Sequence, residues 1–179
     1  MTDLALRKPM TRMRVALHQI IAVGLLLAPM NVFAQTGREG ARDFDWEIGS
    51  WETVVRVRAP FSTEDSWAEF RGSSVVHAFS DARANLVDLD VANAQGRIEG
   101  VSLRLYNPET RQWNINYASA RDGALTAPLY GGFENGRGVF HGQDTHEGRV
   151  VLVRFVISDI TANSARFVQS YSADGGQTW

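Results

Sequence analysis

RIEGVSLRLYNPETRQWNINYA, residues 97–118, decides the fold. Val101, Leu103 and Leu105 alternate with Ser102, Arg104 and Tyr106, the period of two that gives a strand two unlike faces. Asn107-Pro108 opens a turn, with proline at the second position where its fixed φ fits. Trp113, Ile115 and Tyr117 then share one face of the next strand. Two strands joined by so short a turn run antiparallel.

The same grammar extends in both directions. Trp51–Arg58, Trp67–Phe79 and Asn85–Val91 read as strands before it, with Gly72 marking a bulge or bend. After it come a short apolar segment at Leu129, a hairpin tipped by Asn135-Gly136, and the strands Arg149–Ser158 and Ala165–Tyr171. Nine strands and no helical period of useful length exclude a parallel α/β architecture. A long antiparallel meander must cover its edges, so the expected fold is an all-β, up-and-down barrel.

The ends frame this domain. Arg7, Lys8, Arg12 and Arg14 precede an apolar run, Val15–Ala28, and Val32-Phe33-Ala34 has the small residues read by a signal peptidase. Residues 1–34 are therefore expected to be a signal peptide with a helical core, 35–42 a flexible tail and 43–179 the barrel. This predicts a periplasmic or secreted protein with no membrane span after cleavage, since the apolar run falls short of the ~20 residues of a spanning helix. The final SADGGQTW, residues 172–179, fits the Asp-box turn of propeller repeats. It occurs once, whereas a propeller repeats its signature in every blade of about 40–50 residues, so here it reads as a hairpin tip. A turn so well specified predicts a following strand, which makes the barrel C-terminally incomplete and open.

Composition narrows the functions. The formal net charge of −2 falls to about −5 once Asp3 and the four leader bases are set aside, and no basic stripe suggests nucleic acid. There is no cysteine, hence no disulfide framework and no thiolate metal site. His77, His141 and His146 show no metal-ligand spacing.

Gly49-Ser50-Trp51 opening the first strand resembles the Gly-x-Trp signature of lipocalin and calycin barrels. Phe44-Asp45 before it, Leu103–Pro108, Gly132-Phe133 and the terminal Asp-Gly-Gly-x-Thr-Trp widen the likeness to a bacterial calycin-like family over residues 43–179. The resemblance implies a barrel plugged by Trp51 and transfers no catalytic residue. Two departures are visible. Trp46 and Glu47 replace the usual third and fourth residues of the opening motif, and nothing supplies the base that stacks on the plug tryptophan in such barrels. A nitrobindin-like calycin branch binds haem through a late axial histidine, but no histidine follows His146. No cofactor is expected.

The candidate site follows from polar residues on strand faces. Glu69, Arg71 and His77 share a face of the second strand, and Arg154 interrupts an otherwise apolar strand. Arg154 in a lumen would fix a carboxylate. Gln169 and Tyr171 share a face, as do Trp113 and Tyr117. Together these eight residues predict a lumen for a small apolar or carboxylate-bearing ligand, without catalysis. The alternatives are a lumen isomerase or hydrolase using Glu69 or His77 as base, and a filled barrel acting through its surface.

Overall fold

The computed structural model describes residues 1–9 and 40–179. It is a closed antiparallel barrel of ten strands. Nine form the expected meander: β2 (Gly49–Val57), β3 (Ala68–Phe79), β4 (Ala84–Asn93), β5 (Gly96–Asn107), β6 (Gln112–Ser119), β7 (Leu129–Glu134), β8 (Arg137–His146), β9 (Arg149–Ser158) and β10 (Ser164–Ser172). The tenth, β1, is Thr2–Arg7, and it lies between β2 and β10.

That placement has a simple cause. In a meander of nine strands the first and last run in the same direction. They cannot pair antiparallel, and a parallel pair is slightly weaker per residue. One strand of opposite sense resolves this. TDLALR alternates Leu4 and Leu6 against Asp3, Ala5 and Arg7, and pairs antiparallel with both neighbours: Leu4 faces Val55 on one side and Phe167 on the other. Leu6 is buried, and Asp3 receives a bidentate Arg166 on the outside at 3.0 and 2.9 Å. The open barrel expected from the sequence is therefore closed, by residues assigned to the leader. The apolar run Val15–Ala28, with the helical leader core expected there, lies outside the described residues.

One end of the barrel is plugged. Gly40–Phe44 form turns leading into a single turn of 3-10 helix, Asp45–Glu47. That turn has Phe44 at its N-cap position and no side-chain cap. Nor are residues 40–42 a loose tail: Ala41 is buried, and the Gly40 carbonyl accepts the Trp113 indole N–H at 2.8 Å. Phe44 packs edge-on against Trp113 and Phe133, both with centroids at 4.9 Å. Trp51 lies beneath, its indole N–H donated to the Glu47 carbonyl. Lys8 stands 5.1 Å over the Trp51 ring, so this chain does supply a base to its plug tryptophan.

Turns obey their residues. Asn135-Gly136 and Glu147-Gly148 have positive φ at both positions, the type I′ geometry that matches strand twist. Gly72 is not a bulge, since pairing runs through it unbroken to Thr53 and Val91. Its hydrogen is needed because a Cβ would strike the Asp90 carbonyl. Asp174 accepts hydrogen bonds from the amides of Gln177 and Thr178 and the hydroxyls of Ser172 and Thr178, which hold its carboxyl well below the usual range. Trp179 folds back under Arg154, whose guanidinium lies 4.3 Å from its ring centroid.

Burial pushes the Asp43 carboxyl up to about 6. Its proton is held more tightly in the folded chain than in the unfolded one, so stability falls as pH rises from about 4 to about 6 and is flat above that. Asp43→Asn removes the slope. Because the group is half-exposed, the gain at pH 7 is about 1 kcal/mol, well short of the unscreened ~3 kcal/mol for such a shift. Denaturant melts at pH 4.5 and 7 read it directly.

Candidate functional site

Above the plug the interior is open. A cavity of about 380 Å³ runs up the barrel axis. Its walls are the inward faces of nearly every strand: Leu4 and Leu6, Val55 and Val57, Val87 and Leu89, Ile115, Leu129, Val153 and Phe155, and Phe167. The size suits a small organic ligand, for which pockets of roughly 300–1,000 Å³ are usual.

The floor is polar. Glu47 and Arg104, both almost fully buried, form a two-pronged ion pair there, the longer contact being 3.2 Å. The guanidinium lies 4.3 Å over the Phe44 ring, and Arg104 Nε is buried with no hydrogen-bond partner among the described residues. Thr53 and Ser74 exchange a hydrogen bond of 3.0 Å nearby, and Ser102 lies one inward position above Arg104.

The mouth is polar too, and differently charged. Tyr117, Thr126, Gln143, Asp144, Gln169 and Tyr171 ring it. Gln169 donates to the Tyr171 hydroxyl at 2.6 Å. Burial raises the Tyr117 and Tyr171 phenols, with Asp122 and Asp144 respectively adding to the effect. Tyr117 lies over Gly100, where any side chain would collide with its ring.

Comparison with known proteins finds no matching family model, and no curated protein or solved structure significantly similar to the chain.

Of the eight residues expected at a ligand, three line the cavity: Tyr117, Gln169 and Tyr171. Trp113 is fully buried in the plug, below the cavity. Glu69, Arg71 and His77 are on the outer face of β3, opposite the buried Ser74 and Val76. Glu69 is occupied there with Arg71 at 2.6 Å and Arg56 at 3.8 Å. Arg154 also points outward, because Val151, Val153 and Ile157 are the buried residues of β9. Its expected part in holding a carboxylate in the lumen is overturned. So is a lumen base at Glu69 or His77.

Sequence reasoning missed Glu47, Arg104, Ser102 and Asp144. The face Ser102-Arg104-Tyr106 was the weaker of the two by hydrophobicity, yet it is the inward one, and Leu105 is 39% exposed. The available clue was Glu47 replacing an apolar residue of the opening motif, a buried acid in search of a base. Among the described residues no histidine lines the cavity, so the lumen offers no imidazole to haem, and no group of three metal-binding side chains occurs.

Proposed function

We propose that this protein is a calycin-like carrier that holds one small, largely apolar molecule in its lumen and performs no chemistry on it. The observation that carries the reading is the cavity itself, enclosed by apolar walls and given polar groups only at its floor and mouth. Apolar walls provide the burial that drives binding, and sparse polar groups fix orientation. The Gly-x-Trp opening and the plugged end support the calycin relationship.

Filling the lumen tests this. Ser102 faces inward at mid-height, and a Phe there would occupy the ligand's space. Wild-type protein should bind an environment-sensitive apolar fluorophore at one site per chain. Ser102→Phe should weaken that binding at least tenfold while its melting temperature stays within a few degrees. Equal binding by both proteins would place the probe elsewhere and defeat the reading.

We further propose export to the periplasm or beyond, supported by the basic and apolar segments of residues 7–28 and by Val32-Phe33-Ala34. Cleavage after Ala34 would take β1 out of the wall between β2 and β10. The intact mass of protein recovered from the extracytoplasmic fraction decides whether β1 stays.

A further inference from the structure

We infer that the lumen selects ligands with a cationic head and rejects carboxylates, a refinement that rests on the carrier reading. Among the described residues, three charged side chains line the cavity: Glu47, Arg104 and Asp144. The first two neutralise each other at the floor, where both guanidinium nitrogens that reach Glu47 are spent on its carboxylate. Asp144 remains. It sits at the mouth on β8, and its Oδ1 accepts only the neighbouring Thr145 amide at 2.7 Å. Among the described residues no base pairs with it. Asp144 is therefore the one unpaired charge among the described cavity-lining side chains, and the groups lining the mouth beside it, the Tyr171 hydroxyl and the Gln143 and Gln169 amides, are neutral.

A ligand that buries an apolar body between Leu6 and Leu89 would bring its head to this ring. An ammonium there gains Asp144 as counter-ion and finds carbonyl and hydroxyl oxygens for its N–H groups. A carboxylate meets Asp144 as a like charge, with no arginine among the described mouth residues to offset it, and Arg154 is on the outer face against Trp179. From Phe167 at the floor to Tyr171 at the mouth is four residues, roughly 13 Å of strand, which sets the length of the body.

Isothermal titration at pH 7 and low salt with decylammonium, decanol and decanoate tests this on the whole chain. The expected order of affinity is ammonium, alcohol, carboxylate, with about fivefold between the extremes, since attraction of one head and repulsion of the other each contribute on the scale of an exposed ion pair. Asp144→Asn should collapse that spread, and so should raising the salt. If decanoate binds as well as decylammonium, or if Asp144→Asn leaves the spread intact, the head-group inference is overturned and the carrier reading stands. If none of the three binds, both fall.

Discussion

Glu47→Leu is expected to destabilise the protein by about 3–5 kcal/mol, the usual consequence of leaving one charge of a buried pair uncompensated. Arg104 is anchored in the wall of β5, and its guanidinium is packed on Phe44. Once Glu47 is gone its charge is left uncompensated at the cavity floor. For a chain of this size each kcal/mol moves the melting temperature by about 2–4 °C, so a fall of roughly 10 °C or more should be seen. Arg104→Met should cost a comparable amount by stranding Glu47, which is 1% exposed. The double variant Glu47→Leu/Arg104→Met should recover most of the loss, because apolar residues of similar volume replace a pair that gains little net stability from burial. Additive losses in the double variant would show that the two side chains act independently, against the geometry.

The second large effect concerns β1. Leu6→Ala is expected to cost about 2–5 kcal/mol, the range for truncating a buried leucine. Leu6 is 2% exposed and belongs to the same core as Trp51, Phe167 and Ile157. Ala5, one residue away, points outward, so Ala5→Lys should stay within about 0.5 kcal/mol of wild type. The contrast between adjacent positions is the signature of a strand in the wall. If the full-length chain tolerates both substitutions equally, β1 does not close the barrel, and β2 and β10 are open edges able to pair with other chains.

The strands were legible because period two and short turns are local properties. All nine segments of the meander lie where alternation and turn residues put them. Which face turns inward was not legible for β3, β5 and β9. On β9 both faces are apolar, so Arg154 gave no direction. On β5 the more hydrophobic face, Val101-Leu103-Leu105, is the outer one. A cavity lined partly by Ser102 and Arg104 reverses the rule that the apolar side is the inside. The partner that justifies a buried Arg104 is Glu47, 57 residues earlier, and no periodicity carries that information. β1 was hidden by a stronger pattern: Arg7 and Lys8 read as the basic start of a leader, and the Leu4-Leu6 alternation beside them is only six residues long. Tyr117, Gln169 and Tyr171, named from the sequence as aromatic and amide residues sharing strand faces with Trp113 and Phe167, do line the mouth.

The most direct test of the account is native mass spectrometry of the full-length protein, purified gently, beside Ser102→Phe. The account predicts that the wild type carries one small molecule per chain, released on denaturation, and that the filled variant carries none. The same bound mass on both proteins would contradict it, because the molecule would then lie outside the lumen.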